Sequence, residues 1–272
     1  MLITGAAHRI GRRLALEFAA KGWSLAIHYN SSGNEALDLV TQIEEAGGRA
    51  AAFAADLADL KAVERLIPAC TSKLGSLTCL INNASAFEHD DIGTLTGAGW
   101  DRHLAINLRA PVFLAKAFAA QLPPAIEDGE VSDVSGPAPA SGLPPASGPA
   151  PASGPAPASG NVINLIDQRV WNLNPDFFSY TISKAGLWTA TQTLAQALAP
   201  RVRVNAIAPG PVLKSVHQTP GQFDRERAST PLGRGTSPGE IAQAIGFILD
   251  APAMTGQMIA LDGGQHLSWR PH

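Results

Sequence analysis

A tyrosine and a lysine four positions apart, Tyr180 and Lys184, are the residues of this chain best suited to acid–base chemistry. In a helix this spacing places both side chains on one face, one turn apart. A lysine ammonium beside a phenol favours the phenolate, so we expect Lys184 to lower the pKa of Tyr180 and make it a useful proton donor near neutral pH. Many helices carry such a pair by chance, so the interpretation needs support from elsewhere in the chain.

Asp167 supplies part of that support. It follows the apolar run from Val162 to Ile166, which predicts a buried strand, and it precedes Tyr180 in the same stretch of the chain. A carboxyl at the end of a buried strand, facing a helical tyrosine and lysine, completes a group that can donate and accept protons. We therefore expect Asp167, Tyr180 and Lys184 to meet at one site.

The first residues predict the strand, turn and helix that open a dinucleotide-binding unit. A short apolar strand is followed by a turn containing Gly5 and Gly11 and then by an amphipathic run. Such a turn presents backbone N–H groups and a helix amino terminus to a pyrophosphate. Glycine also occurs in ordinary turns, but a second strand predicted at residues 23–29 favours the phosphate-binding interpretation. The first strand is so short that we expect the natural start to lie upstream of Met1.

The end of the second strand bears on the choice between NADH and NADPH. In NAD-binding units an acidic residue near this point holds the ribose 2′-hydroxyl and would repel a 2′-phosphate. The corresponding residues here are Tyr29, Asn30, Ser31 and Ser32. None is acidic, and the guanidinium of Arg9 in the turn could reach a phosphate, although a solvated surface arginine is the alternative. The sequence therefore favours NADPH.

Buried strands alternate with helices along the chain. The predicted helices cover residues 35–46, a span ending near 74, 100–120, a span ending near 199, and 238–249, and the later strands cover 51–55, 77–81, 162–166, 202–207 and 257–261. This alternation is typical of an α/β, Rossmann-type doubly wound parallel sheet of about seven strands with helices on both faces. Residues 210–237 are polar and rich in glycine and proline. Because they follow the carboxyl end of a strand, we expect an irregular substrate lid there.

Between residues 123 and 160 the composition changes to a repeat of Ser-Gly-Pro-Ala-Pro-Ala units that begins at Ser135. Proline removes backbone donors, and alanine, glycine and serine add almost no apolar surface, so we expect a disordered linker rather than a second domain. In a parallel sheet this connection lies at the amino ends of the strands, opposite the ligand crevice. Residues 1–272 are therefore predicted to form one domain, interrupted by an insertion that does not touch the chemistry.

Composition and charge argue against several function classes. The net charge of −3 gives no reason to expect nucleic acid or an anionic membrane surface as a partner. No apolar run is long enough to span a bilayer, and the amino terminus lacks the pattern of a signal peptide. Cys70 and Cys79 have no metal-binding or redox spacing and are expected to be buried thiols. We predict no metal site, and the cytoplasm as the location.

A set of motifs in fixed order gives the chain a specific family resemblance. They are Thr4-Gly5 with Gly11, Asp56-Leu57, Asn82-Asn83-Ala84, Asn107, Tyr180 with Lys184, Val204-Asn205 with Pro209-Gly210, and Asp262-Gly263-Gly264. In order and spacing they resemble the short-chain dehydrogenase/reductase family over nearly the whole chain apart from the repeat. The resemblance implies an NADPH-dependent oxidoreductase that acts on a small-molecule substrate and assembles as a homo-oligomer, a tetramer.

The resemblance also implies roles for individual residues. Tyr180 would be the general acid/base, Lys184 would hold the nicotinamide ribose and depress the Tyr180 pKa, and Asn107 would bind a water in the proton relay. Asp56 would contact the adenine. The full set of residues implied to bind the cofactor, besides Tyr180 and Lys184, is Gly5, His8, Arg9, Ile10, Gly11, Tyr29, Asn30, Ser31, Asp56, Leu57, Asn83, Ala84, Ser85, Pro209 and Gly210.

Two departures from the usual family pattern narrow the resemblance. Arg9 occupies the usual third glycine-like position of the turn, and Asp167 stands where a catalytic serine is usual. Both resemble the pteridine reductase branch, which includes bacterial dihydromonapterin reductases. Phe87 would then stack on the pterin ring, and Ser85 and Tyr180 would complete the substrate site with Asp167. A carboxyl can handle protons on ring nitrogens, and an aromatic face suits a flat heterocycle.

We therefore expect hydride transfer from NADPH to a pterin. Two alternatives stay open. The enzyme could reduce a carbonyl substrate such as a 3-oxoacyl thioester or a ketone, with Phe87 serving ordinary packing and Asp167 a tolerated divergence. The chain could also be a catalytically silent NADPH-binding sensor, against which the joint presence of Tyr180, Lys184 and Asn107 argues.

Overall fold

A seven-stranded parallel sheet forms the centre of the computed structural model, which describes residues 1–123, 159–215 and 218–268. The strands are β1 (Leu2–Ile3), β2 (Leu25–Tyr29), β3 (Ala50–Ala54), β4 (Cys79–Asn82), β5 (Gly160–Leu165), β6 (Val202–Pro209) and β7 (Met258–Leu261). They lie in the order β3-β2-β1-β4-β5-β6-β7, and every neighbouring pair is parallel. The predicted Rossmann-type α/β sheet is confirmed.

Helices cover both faces of this sheet. They are α1 (Arg9–Ala20), α2 (Gly33–Glu45), α3 (Leu60–Leu74), α4 (Gly97–Leu104), α5 (Ala110–Ala120), α6 (Phe178–Leu198), α7 (Pro220–Ala228) and α8 (Pro238–Asp250). Successive strand side chains point to opposite faces, so each strand feeds two cores. Ile3 packs in the core that includes α1, α2 and α8, whereas Leu2 packs in the core that includes α3 and α5.

The strand order reverses at β1, which lies between β2 and β4. At such a switch point the connections after the two central strands run to opposite faces of the sheet and leave a crevice outside the strands' carboxyl ends. Here the two strands are β1, ending at Ile3, and β4, ending at Asn82. The glycine turn and the loop that begins at Asn83 therefore open on the same crevice.

Two elements differ from the sequence expectations. The helix predicted over residues 100–120 is divided by a π-helical turn, Ala105–Arg109, which holds Asn107. The stretch 210–237, predicted to be irregular, contains α7. That helix begins with a capping box between Thr219 and Gln222 and has Pro220 in its first turn. These are ordinary helix-start signals that the sequence already carried.

The Ser-Gly-Pro-Ala-Pro-Ala repeat lies outside the described residues, but the residues on either side of it are described. Arg201 contacts both: its Nη1 donates to the Pro123 carbonyl oxygen at 3.3 Å, and its own carbonyl oxygen accepts from the N–H of Gly160 at 3.1 Å. Arg201 immediately precedes β6, so both attachment points lie at the amino ends of the strands, away from the crevice. Within the described ranges, no helix combines the length and apolarity needed to cross a membrane.

Candidate active site

The turn after β1 requires glycine at two positions. Gly5 has a φ of +61°, a left-handed conformation that side chains with a Cβ seldom adopt. A Cβ on Gly11 would collide with the Gly5 carbonyl oxygen and lie 2.6 Å from Nδ2 of Asn83, so only glycine fits there. No side chain caps α1 at its N-cap, His8. The first N–H groups of this helix therefore suit an anion, and the helix dipole adds to the attraction.

His28 supports this turn, and the sequence analysis did not identify it. Its buried ring accepts a hydrogen bond from the Gly5 N–H at Nδ1 (3.0 Å), and Nε2 lies 3.0 Å from the carbonyl oxygen of Ala55. Because the Gly5 N–H can only donate, the ring proton resides on Nε2. Burial lowers the pKa of His28 to about 4, so the ring is neutral at physiological pH. The only sequence signal was a polar residue within an apolar strand.

The Arg9 side chain contacts the segment after β6. Its Nη1 donates to the Lys214 carbonyl oxygen at 2.9 Å and its Nη2 to the Leu213 carbonyl oxygen at 3.1 Å. Asn30 and Ser31 follow the carboxyl end of β2, where the sequence placed them. Arg9 thus links the glycine turn to the segment after β6 through hydrogen bonds. Its contact with a 2′-phosphate stays a prediction.

The other residues predicted to bind the cofactor also lie at carboxyl ends of strands. Asp56 and Leu57 follow β3, and Pro209 and Gly210 lie at the end of β6. Asp56 Oδ1 accepts a hydrogen bond from the Ala58 N–H at 2.9 Å, so part of its carboxylate already holds its own loop. The sequence therefore predicted the correct edge of the sheet, and the contacts of these residues with a cofactor stay predictions.

The loop after β4 is fastened to the glycine turn. Nδ2 of Asn83 donates to the carbonyl oxygens of Thr4 (2.8 Å) and Gly5 (3.1 Å). In return, Thr4 Oγ1 accepts from the backbone N–H groups of Asn83 and Ala84, each at 3.0 Å. The Asn83 amide therefore braces the two loops that face the crevice, and Ala84 packs against Gly5.

Asn107 acts as a clamp between that loop and α6. Its Oδ1 accepts from the Ala86 N–H (2.8 Å) and from Ser85 Oγ (3.1 Å). Its Nδ2 donates to the Ala86 carbonyl oxygen (2.9 Å) and to Ser183 Oγ (3.0 Å). These four bonds use both donors and both acceptor positions of the amide. A relay water at Asn107, which the family resemblance implies, would therefore have to bond its main chain.

Asp167, Tyr180 and Lys184 come together where β5 adjoins α6. The Tyr180 hydroxyl donates to Asp167 Oδ2 at 2.8 Å, and Asp167 Oδ1 accepts from the Arg169 N–H at 2.9 Å. Lys184 Nζ lies 5.7 Å from the centroid of the Tyr180 ring and donates to the Leu165 carbonyl oxygen at 2.8 Å. The structure thus places these side chains as the sequence predicted, while their roles in a reaction stay predictions.

The electrostatics of this group differ from the expectation. Burial raises the pKa of Tyr180 well above its usual value, and the charge and hydrogen bond of Asp167 raise it further. The expectation that Lys184 lowers this pKa is therefore wrong for this structure, in which burial and the neighbouring Asp167 both raise it. Burial also raises the pKa of Asp167 and lowers that of Lys184 to about 8. Asp167 and Tyr180 both tend to hold protons, which suits donation to a basic acceptor.

The Phe87 ring packs against the Tyr180 ring. The two rings meet edge to face with centroids 4.8 Å apart and an interplanar angle of 77°. Ser85, two residues earlier, donates a hydrogen bond to Asn107, so two of the predicted substrate residues, Ser85 and Phe87, lie on the same loop. A second ring, Phe177, stacks on Phe87 and was not identified from the sequence.

Comparisons with known proteins agree with the fold and identify the family. The family model described as short chain dehydrogenase matches residues 1–144, and one described as enoyl-(acyl carrier protein) reductase matches residues 151–266. Among solved structures, FolM alternative dihydrofolate reductase 1 from Brucella suis, in complex with NADP, is 42% identical with a TM-score of 0.85, covering 99% of this chain and 96% of that chain. Its counterpart from Brucella canis, also with NADP, is 41% identical with a TM-score of 0.82, covering 99% and 95%.

The 3-oxoacyl-[acyl-carrier-protein] reductase FabG of Staphylococcus aureus is 28% identical, covering 98% of this chain and 97% of that protein. The FolM structures support the resemblance to the pteridine reductase branch. The short chain dehydrogenase model alone matches more than half of the sequence. The chain therefore belongs to the short-chain dehydrogenase/reductase family.

Proposed function

We propose that this protein is an NADPH-dependent reductase of a pterin, of the dihydropteridine or dihydromonapterin type. The observation that carries the proposal is the 2.8 Å hydrogen bond between Tyr180 and Asp167, with the Phe87 ring against Tyr180. Reduction of a simple carbonyl requires one hydroxyl donor. A carboxyl whose pKa is raised by burial, next to an aromatic ring, suits a flat heterocycle with a basic ring nitrogen. The similarity to the FolM alternative dihydrofolate reductases supports the same substrate class.

The crevice at the switch point fits a phosphorylated dinucleotide. The turn from Gly5 to Gly11, whose left-handed φ at Gly5 and tight packing at Gly11 need glycine, and the amino terminus of α1 would receive the pyrophosphate. Arg9 with Asn30 and Ser31 would hold the 2′-phosphate, and Lys184 the nicotinamide ribose. NADPH supplies the hydride when it is bound. The NADP named with both FolM structures supports this cofactor.

The side chains of the protein bind the substrate and handle the proton. Phe87 orients the flat ring by stacking. Burial favours the protonated form of Asp167, and this form would donate its proton to a ring nitrogen of the substrate. The Tyr180 hydroxyl, bonded to Oδ2, stabilises the carboxylate that results. The positive charge of Lys184 acts in the same direction, because it lowers the Asp167 pKa.

The substrate test compares a dihydropterin with an acetoacetyl thioester, using NADPH and the wild-type protein. We expect pterin reduction, and we expect Phe87→Ala to raise the KM for the pterin about tenfold, because stacking and buried aromatic area are both lost. The KM for the thioester should change little. Brisk thioester reduction by the wild type with no measurable pterin turnover would instead assign the protein to the carbonyl reductases, to which FabG belongs by name.

The cofactor test concerns Arg9. We expect the wild type to prefer NADPH to NADH, and Arg9→Ala to raise the KM for NADPH about 10–100-fold, since hydrogen bonds to charged groups contribute about 1.5–3 kcal/mol. The KM for NADH should change much less. Arg13→Ala, which removes an exposed arginine from the same helix, is the matched control and should leave both values unchanged. An equal rise in KM for NADPH and NADH would instead show that Arg9 acts only through its hydrogen bonds to Leu213 and Lys214.

We further propose that the chain forms a single domain, acts in the cytoplasm and assembles as a homotetramer. Cys70 and Cys79 are buried and free, which suits a reducing compartment. Phe247 on α8 is 60% exposed, as expected for a residue that a second subunit covers. Light scattering at micromolar concentration tests the tetramer, and a monomeric mass would contradict it.

A further inference from the structure

Phe177 and Phe87 form a parallel stack at the edge of the candidate active site. Their ring centroids are 4.4 Å apart and their planes differ by 5°. Phe87 in turn meets the Tyr180 ring edge to face. One face of Phe87 is thus covered by Phe177. A flat substrate that stacks on Phe87, as proposed above, has to use the opposite face.

The backbone of Phe177 adopts a conformation that needs a reason. Its φ is +56°, in the left-handed region, and it precedes the first turn of α6. Among the described residues, Arg9 and Phe177 are the non-glycine residues with positive φ. A bulky side chain in this region costs free energy and persists only where its surroundings enforce it. Such positions cluster at functional sites.

Asp90 helps to hold the backbone of Phe177 in this conformation. Its carbonyl oxygen accepts from the Phe178 N–H at 3.2 Å, and its Oδ1 accepts from the Ser179 N–H at 3.2 Å. A carboxylate at these free N–H groups caps the amino terminus of α6, although it comes from a distant part of the chain. Asp90 lies three residues after Phe87, so one loop both caps α6 and carries the ring that Phe177 stacks on.

A buried hydrogen-bond chain holds the same loop in place. Ser179 Oγ donates to Asp90 Oδ2 and accepts from Nδ1 of His103, which lies 2.6 Å away. The other ring nitrogen, Nε2, accepts from the Glu88 N–H at 3.2 Å, so the ring proton resides on Nδ1. All three side chains are buried. The loop is therefore fixed at Glu88 and Asp90, on either side of His89 and immediately after Phe87.

Phe177 also contacts Arg169, a residue of the short turn after Asp167. The Arg169 guanidinium carbon lies 5.0 Å from the Phe177 ring centroid, within the range of a cation–π contact. The backbone N–H of Arg169 donates to Asp167 Oδ1. Phe177 thus lies between the loop of Phe87 and the short turn that orients Asp167.

We propose that Phe177 is a positioning residue that sets the plane of Phe87 for stacking on a flat substrate ring. This inference rests on the proposed pterin reductase function. It adds to that function a residue, Phe177, that does not touch the substrate. The backbone conformation at Phe177 and the cap from Asp90 hold its ring behind Phe87. Without it, Phe87 can tilt, and the stacking contact with a planar substrate weakens. A non-planar substrate does not depend on this plane.

The test measures steady-state kinetics of Phe177→Gly with a dihydropterin and with an acetoacetyl thioester. Glycine suits a φ of +56°, so this variant removes the ring without adding backbone strain. We expect the pterin KM to rise about three- to tenfold, in line with the loss of one aromatic stacking contact. The KM values for NADPH and for the thioester should stay within about twofold. Phe177→Tyr keeps the stacked ring and should restore the wild-type pterin KM.

The outcomes separate this inference from the proposed function. Pterin turnover by the wild type with an unchanged pterin KM in Phe177→Gly would overturn the positioning role alone. Equal increases in the KM values for NADPH, the pterin and the thioester, together with a lower melting temperature, would show that Phe177 only packs in the fold. That result would also overturn the positioning role. Absence of pterin turnover in the wild type would overturn the proposed function, and the positioning role with it.

Discussion

Tyr180→Phe is expected to lower kcat about 10²–10⁴-fold, the usual cost of losing a positioned general acid or base. The change removes the hydroxyl that donates to Asp167 Oδ2 and leaves the ring that packs on Phe87. Affinity for NADPH should change only a few-fold, because the predicted phosphate site lies at the Gly5–Gly11 turn. Single-turnover kinetics and a fluorescence titration with NADPH measure the two quantities separately.

A matched control for this variant lies on the next residue of the same helix. Thr181 is buried, and its hydroxyl finds no hydrogen-bond partner among the described residues. Thr181→Val therefore removes a hydroxyl of α6 that makes no bond and should keep activity near the wild-type level. Near wild-type turnover in Tyr180→Phe would remove Tyr180 from the mechanism.

Asp167→Ser is expected to reduce pterin turnover about 10²-fold or more, since serine has no comparable acidity. Reduction of an acetoacetyl thioester should be spared or improved, because a serine hydroxyl can bond a ketone oxygen. The exposed Asp176 lies in the same connection between β5 and α6, and Asp176→Ser is the matched control, expected to leave both activities unchanged. If serine at position 167 is neutral for the pterin, the acid in this reaction is another group.

The same variant tests the direction of the Asp167 pKa. Burial raises that pKa, so the carboxyl keeps its proton to a higher pH than an exposed aspartate. If the protonated carboxyl is the donor, pterin turnover falls as the pH rises through the raised pKa and the proton is lost. Asp167→Ser should lack this alkaline decline. A wild-type rate that rises with pH over the same range would contradict the donor role.

The sequence determined the fold and the edge of the sheet at which the candidate site lies. Apolar runs and amphipathic helices are local patterns, so the α/β alternation could be predicted without tertiary contacts. The order of motifs from Gly5 to Asp262 likewise identified the family that the comparisons show. Because the carboxyl ends of parallel strands share one edge, the sequence also predicted that Asp167 and the helix of Tyr180 and Lys184 would lie close together.

Tertiary structure decided what those residues do to one another. The direction of the Tyr180 pKa depends on burial and on the distance to Asp167, neither of which is encoded in the Tyr-Lys spacing. The partners of Arg9 lie more than two hundred positions away along the chain. Phe177 and His28 carried no distinctive local pattern, since a phenylalanine in a loop and a histidine in a strand fit many environments. Their importance comes from contacts between segments that are distant in sequence, and only folding brings those segments together.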